Sequence, residues 1–316
     1  MIYDDDYWRN VANPDIKRPA VSVVIPVYNR AKIIGRTIES VLNQTVQDFE
    51  IIVVDDASKD GTEQAVRAIK DERIVYIRHD VNRGGSAARN TGIRHAHSEL
   101  IAFLDSDDEW FSEKLAKQLE VMNRKGLFLG LVYTGMNIVE ENGTVLQKWM
   151  PSHKGHFLNE LLIKNWLGTL STVLVKKEFL DRVKGLDETL KSCQDWDLYV
   201  RLNKICPFFY VDECLVQYHV NKRDASRISN NKKSIISGHR VMEEKFRTDY
   251  TAMPSYYKIT YYENRIHVHA SVGDVPAVVK FSFLAFFLAK DRKYLLEIPR
   301  RLGRCLKVKI KGKGGY

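Results

Sequence analysis

Three carboxylates stand within the run Asp105-Ser106-Asp107-Asp108. Carboxylate oxygens are hard ligands suited to Mg²⁺ or Mn²⁺, and Mg²⁺ commonly takes one or two of them together with substrate phosphates. A diphosphate ester is the natural ligand of such a run. Taken alone the run is equally a polar turn, since Asp is common in turns. Tyr28-Asn29-Arg30, the pair Asp55-Asp56 and the later Gln194-Asp195-Trp196-Asp197 add further polar groups. Other phosphate chemistries are disfavoured. The chain has no GxxxxGK[ST] run for a P-loop, and VYNR stands where a dinucleotide site needs GxGxxG.

The elements that must position these groups follow from the hydrophobic pattern. VSVVIPV (21–27) is a β-branched run that predicts a buried strand ending at Tyr28-Asn29. Ile33, Ile34, Ile38, Val41 and Leu42 recur at helical spacing. EIIVVDD (50–56), IVYIRHD (74–80) and ELIAFLD (99–105) are three more strands, separated by a helix after Ser58-Lys59-Asp60-Gly61-Thr62 and another after Arg83-Gly84-Gly85. Such alternation with continuously apolar strands predicts a parallel sheet covered on both faces, whose ligands bind at the carboxyl ends of the strands. The three early polar stretches all fall at such ends. Beyond residue 115 the pattern is less regular. Residues 129–149 suggest a hairpin around Asn142-Gly143, residues 170–183 a strand and short helix, and LYVRLN a helix. Residues 235–270 are polar, aromatic and helical in pattern. The expected division is an N-terminal extension (1–20), a catalytic α/β domain (21–220) and a helical C-terminal region with a basic tail (221–316).

With 44% hydrophobic and 28% charged residues, the 316-residue chain is of ordinary globular composition. The acidic start MIYDDDYWRN is not a signal peptide, and no apolar run reaches the roughly 18 residues that a membrane span requires. Cys193, Cys206, Cys214 and Cys305 lack CxxC spacing, which argues against zinc or disulfides and for free thiols in a reducing cytoplasm. The net charge of +9 is concentrated at one end: residues 290–316 hold ten Lys or Arg against two acidic residues, a net +8. Preceding them, VPAVVKFSFLAFFLA (275–289) is too short to span and is interrupted by Lys280. An apolar helix beside a polybasic stretch suits peripheral binding, through 275–316, to the anionic inner face of the cell membrane, next to a lipid-linked acceptor. The competing reading is a core-packed helix followed by a solvated tail. No nucleic-acid-binding module accompanies the basic residues, so nucleic acid is not an expected partner.

VSVVIPVYNR, SVLNQT (40–45), DFEIIVVDDASKDGT (48–62), NRGGSAARNTG (82–92) and LIAFLDSDDEW (100–110) occur in that order, and QDWDLYVRL (194–202) follows. Together they resemble the family 2 glycosyltransferases over roughly residues 20–220. The resemblance implies a GT-A fold, a Rossmann-like and mostly parallel sheet flanked by helices. It places Pro26, Val27, Tyr28 and Asn29 around the nucleotide base, with Tyr28 packing on a pyrimidine and Asp56 accepting the uracil N3–H. Asp55 would orient Arg89 or contact the ribose, while Arg89 would reach the nucleotide or steady the acidic groups. Asp105 and Ser106 fall on the donor side and Asp107 on the metal, while Asp108 is either a further member of the acidic site or a residue at a solvated helix entry. Asp195 matches the catalytic base, with Asp197 as its fallback and Trp196 packing beside the base or flooring the acceptor site. The sequence departs from the family where a YRxH-like segment is usual. Here Asn221 falls at the His position and His219 is either its substitute or a structural histidine.

The expected activity is therefore metal-dependent, inverting transfer of one sugar from a nucleotide-diphospho-sugar, in particular a UDP-sugar, to a hydroxyl of a glycan or lipid-linked glycan. The transferred group is a hexosyl or N-acetylhexosaminyl unit, and the setting is surface-polysaccharide biosynthesis. The alternatives are a non-catalytic sugar-nucleotide or glycan-binding module and a metal-dependent nucleotidyltransferase. The latter should carry a Gly-rich basic loop where this chain has VYNRAKIIG.

Overall fold

The computed structural model describes residues 18–126, 128–140, 142–220 and 232–311. They fall into two compact units. The first comprises 18–156, 167–189 and 197–220, and the second 157–166, 190–196 and 232–311.

The first unit is built on a nine-stranded sheet. Its early part alternates as the apolar runs require: β1 (Val21–Val27), α1 (Ile34–Leu42), β2 (Phe49–Asp55), α2 (Thr62–Ala68), β3 (Ile74–Arg78), α3 (Gly85–His95) and β4 (Leu100–Phe103). The short β5 (Glu109–Trp110) and α4 (Lys114–Lys125) lead into a hairpin of β6 (Leu131–Glu140) and β7 (Val145–Trp149). Next come β8 (Val173–Lys176) and α6 (Lys177–Arg182), and the long β9 (Phe208–Val220) closes the unit. The helix α5 (Leu158–Ile163) belongs to the second unit, and α7 (Gln194–Asn203) has its first three residues there.

Strand order is β3-β2-β1-β4-β8-β6-β9-β5, with β7 paired to β6. β3, β2, β1 and β4 are mutually parallel. The other half is mixed: β8 runs antiparallel to both β4 and β6, whereas β6 and β9 are parallel. The fold is thus the α/β class that the strand–helix alternation predicts, with an antiparallel element in its later half. The chain reverses direction across the sheet between β1 and β4, the kind of switch point beside which ligands bind. Val27, Asp55 and the residues after Phe103 lie at that carboxyl edge.

β1 and β2 are buried along their whole length because both faces are covered. Val23, Ile25 and Val53 join Ile34, Ile38 and Val41 in the main core, while Ile52 and Val54 pack with Ala88 of α3 on the opposite face. α3 comes very close to the sheet at Gly92, where a methyl group would stand 2.3 Å from Cγ1 of Val24.

The second unit is helical. Besides α5 it contains α8 (Lys232–Lys245), α9 (Arg247–Ala252), α10 (Ser255–Val272), α11 (Val275–Ala289), α12 (Lys293–Leu296) and α13 (Ile298–Lys311). Asp274 caps α11 by accepting the Ala277 N–H, Pro276 falls in its first turn, and Gly273 ends α10 in the left-handed conformation. Among the described residues no helix is long and apolar enough to cross a membrane.

Candidate active site

At the end of β1, Tyr28 is 40% exposed and Asn29 takes a positive φ of 52°. Asn29 is held there from both sides: its N–H donates to Ser58 Oγ at 2.9 Å, and its Oδ1 accepts the Lys59 N–H at 2.8 Å. Pro26 and Val27 are buried within the strand. They bring backbone, rather than open side chains, to this edge.

Asp55 and Asp56 have separate tasks. Asp55 is fully buried and accepts from Ser58 N–H at 2.7 Å, Arg78 Nη1 at 3.0 Å and the Tyr76 hydroxyl. Burial, together with that bond to a carboxylate, pushes the Tyr76 phenol upward, so it remains a donor. The expected orientation of Arg89 by Asp55 is not found; Arg78, from the neighbouring strand β3, takes the place. Asp56 is also buried. It accepts the backbone N–H groups of Arg83 (2.8 Å) and Gly84 (2.7 Å), and His79 Nδ1 lies 2.8 Å from its Oδ1. The other ring nitrogen of His79, Nε2, lies 2.9 Å from Thr91 Oγ1. Asp56 thereby fixes the glycine turn at the start of α3.

Arg89 projects from that helix to pair with Asp105 Oδ1. The other oxygen of Asp105 accepts from Thr169 Oγ1 at 2.8 Å, and its N–H donates to Ser171 Oγ at 3.0 Å. The Ser171 hydroxyl in turn donates to Asp108 Oδ2 at 2.6 Å. Asp108 is fully buried, and its Oδ1 lies 3.3 Å from the His219 N–H. Of the two readings of Asp108, the solvated helix entry is therefore incorrect: this carboxylate joins the acidic turn to β9 and to the segment before β8. Thr37 donates to the carbonyls of Ser106 (3.1 Å) and Asp108 (2.9 Å), and Arg36 to that of Asp107 at 3.2 Å. Ser106 is buried, whereas Asp107 remains half-buried.

Among the described residues no three His, Cys, Asp or Glu side chains group as a metal cage. Asp105 and Asp107 are half-buried and Asp108 is fully buried, and Mg²⁺ typically needs one or two carboxylates beside phosphate oxygens. His219 Nε2 lies 2.7 Å from Glu109. Burial and the Arg36 charge lower the pKa of His219, against the opposing pull of Glu109. Asn221 lies outside the described residues.

α7 carries the later acidic motif. In the second unit, Asp195 is half-buried, accepts from Asn165 Nδ2 at 2.9 Å through Oδ2, and turns Oδ1 toward the Trp196 N–H at 2.8 Å. Trp196 is 4% exposed, donates its indole N–H to Leu161 O and meets His239 edge-on. It packs beside Asp195 and does not form an open floor. Asp197, in the first unit, is fully buried against Arg201 at 2.7 Å. Arg201 also donates to the carbonyls of Val183 and Gly185. That position suits anchoring α7 and not deprotonating or meeting an acceptor, contrary to the fallback-base role expected of Asp197.

Thr169, Ser171, Asn165 and Thr37 were not among the expected site residues. A signal existed for the first two, since Thr169-Leu170-Ser171-Thr172 is a polar cluster directly before an apolar strand. For Asn165 and Thr37 there was none, because only tertiary contacts give them partners.

A doubly wound sheet with an acidic turn braced at its switch-point edge agrees with the GT-A fold that the sequence resemblance implies. The model of the family Glycosyl transferase family 2 matches residues 22–188, and the chain belongs to that family. TuaG of Bacillus subtilis (strain 168), assigned by name to teichuronic acid biosynthesis, is 33% identical over 218 residues, covering 68% of this chain and 83% of TuaG. The Escherichia coli UDP-Glc:alpha-D-GlcNAc-diphosphoundecaprenol beta-1,3-glucosyltransferase WfgD is 35% identical over 154 residues, 49% of this chain and 59% of WfgD. Among solved structures, residues 1–349 of S. aureus TarS in complex with UDP-GlcNAc superpose with a TM-score of 0.57 at 17% identity, covering 94% of this chain and 92% of that one.

Proposed function

We propose that this glycosyltransferase moves one hexosyl or N-acetylhexosaminyl unit, with inversion, from a UDP-sugar to a hydroxyl of a lipid-linked glycan during surface-polysaccharide assembly. The observation that carries the reading is the bracing of the acidic turn: Asp105 by Arg89 and Thr169, Asp108 by Ser171, with Asp107 left half-buried. WfgD, by its name, uses a UDP-sugar and a diphosphate-linked lipid acceptor, which supports the same classes here.

In the first unit, Tyr28 offers a ring face to the base beside the fixed Asn29 backbone. The Asp56 carboxylate has about four acceptor sites and three protein donors, and the one that remains would accept the uracil N3–H. Arg89 and Asp105 set the donor-side sugar and ribose contacts, with Ser106 as their backbone support. Asp107 would hold Mg²⁺ or Mn²⁺, which when bound stabilises charge on the departing diphosphate. In the second unit, Asp195 is the general base. It takes the proton of the acceptor hydroxyl as that oxygen bonds the anomeric carbon and the bond to the nucleoside diphosphate breaks. Asn165 holds the carboxylate by its Oδ2 and so fixes its orientation. A peripheral place on the inner face of the membrane accords with a lipid-linked acceptor and with the basic tail.

Thermal shift against a panel of nucleotide-sugars, with and without Mn²⁺, tests the donor. A UDP-sugar should stabilise the chain only with the metal, and indifference to every donor would sink the proposal. Asp195→Asn should preserve that stabilisation and lower transfer by about 10²–10⁴-fold. Unchanged transfer would remove Asp195 from the role of base.

A further inference from the structure

The second unit contains a cavity of about 470 Å³. The segment after α5 supplies Lys164 and Trp166 to its wall, α10 supplies Asn264 and His267, and α13 supplies Arg300 and Arg301. Both of its acids are engaged: Glu263 accepts from the Tyr294 hydroxyl at 2.6 Å, and Glu297 pairs with Arg301 within the wall. Three cations against two acids leave the wall with net positive charge. The Lys164 ammonium lies 4.8 Å above the Trp166 ring, and burial pushes its pKa down. An entering anion would relieve that penalty. Arg300 is exposed and makes no ion pair among the described residues.

Two connections give the cavity direction. Between Lys164 and Trp166 stands Asn165, which donates to Asp195, so one three-residue segment serves both the cavity wall and the proposed base. On the other side, Arg301 Nη1 reaches Ser282 Oγ of α11 at 3.3 Å. Phe283 follows directly and Phe287 comes one turn later, 43% and 70% exposed. Cationic wall and exposed aromatic ridge are thus joined through one hydrogen bond.

We propose that this cavity binds the phosphate-bearing head of the lipid-linked acceptor, with the lipid chain running along Phe283 and Phe287. The assignment rests on the acceptor class given under Proposed function and adds the residues that recognise it. Charge-assisted hydrogen bonds from Lys164 and Arg300 would hold the phosphate oxygens, and the sugar beyond them would be presented toward Asp195.

Calorimetric titration of the full chain in EDTA, which silences metal-assisted diphosphate binding, tests this with farnesyl diphosphate, farnesol and inorganic diphosphate. Farnesyl diphosphate should bind, farnesol should not, and inorganic diphosphate should bind at least about tenfold more weakly. Lys164→Met and Arg300→Gln should each weaken farnesyl diphosphate by about tenfold, the value of one hydrogen bond to a charged group. Farnesyl diphosphate affinity unchanged in both variants would overturn the cavity assignment. Equal binding of inorganic diphosphate would overturn the lipid-linked source. Stabilisation by a UDP-sugar with Mn²⁺, followed on the same proteins, keeps the two levels apart. Its presence alongside a failed farnesyl diphosphate arm discards only the cavity proposal, whereas its absence in the unaltered protein discards the functional reading itself.

Discussion

Arg265 is fully buried in the second unit and donates to His239 Nδ1, to Ile163 O at 3.1 Å and to Asn264 Oδ1 at 2.8 Å. A guanidinium has only donors, so His239 must accept on Nδ1 and remain neutral. Burial first, then the Arg265 charge, depresses the His239 pKa to about 3. Its unfolded counterpart titrates near 6.5, so between those values the unfolded chain binds the extra proton and stability falls as pH drops. At about pH 4.5 the loss amounts to roughly 2–3 kcal/mol. His239→Gln keeps an acceptor without the titration. Its melting temperature should therefore decline less between pH 7 and pH 4.5 than that of the unaltered protein, and parallel declines would refute the account. This coupling was not legible in the sequence, because Arg265 and His239 look like any polar residues of a helical stretch. The same holds for Asp108. Its type and spacing marked it as acidic-run chemistry, but only the fold brings Ser171 and the His219 N–H to it.

At the scale of elements, the closest packing in the first unit is between α3 and β1. The Gly92 site leaves no room for a methyl, since Val24 belongs to a fully buried strand and cannot retreat. Gly92→Ala should cost about 2–3 kcal/mol by overpacking. Gly35 on α1 makes a control of opposite sign. Nothing lies within 4 Å of a methyl added there, and Gly35→Ala should gain about 0.5–1 kcal/mol through helix propensity. Denaturant midpoints of the two variants should move in opposite directions; a neutral Gly92→Ala would mean that α3 can slide. The strands and helices before residue 105 were readable because each apolar run is bounded by turn residues, and β1 and β2 are buried on both faces. What the sequence could not supply was strand order in the later half. The partners of β6, β8 and β9 are set by long-range pairing, and an antiparallel β8 between β4 and β6 leaves no local mark. The family-bearing motifs fared similarly: the acidic turn was legible as a unit, but its bracing residues came from elements about 60 residues away.

At the scale of the whole molecule, the C-terminal segment has a double character that α11 makes specific. Val278, Phe281, Ser282 and Ala285 form one buried stripe at helical spacing, while Lys280, Phe283, Leu284 and Phe287 form a second stripe that is exposed. A helix apolar all round is normally enclosed, and here one apolar stripe is not. Leu296 of α12 is also 77% exposed, and Lys290 and Arg292 between the two helices and Lys293 at the start of α12 are open to solvent. One face of this segment therefore packs as core, while the other presents aromatic and basic groups together. Each basic residue near an anionic surface contributes about 1 kcal/mol, and the attraction is screened as the Debye length shortens from ~10 Å at 0.1 M salt to ~3 Å at 1 M. The full chain should accordingly sediment with phosphatidylglycerol-containing vesicles at low salt, dissociate as salt rises over that range, and bind phosphatidylcholine vesicles weakly. Phe287→Ser removes the most exposed aromatic of the stripe and should weaken vesicle binding by about tenfold, because burying a Phe side chain is worth roughly 1.5–3 kcal/mol. Binding that ignored both salt and lipid charge would show that the exposed stripe serves some other surface than a membrane.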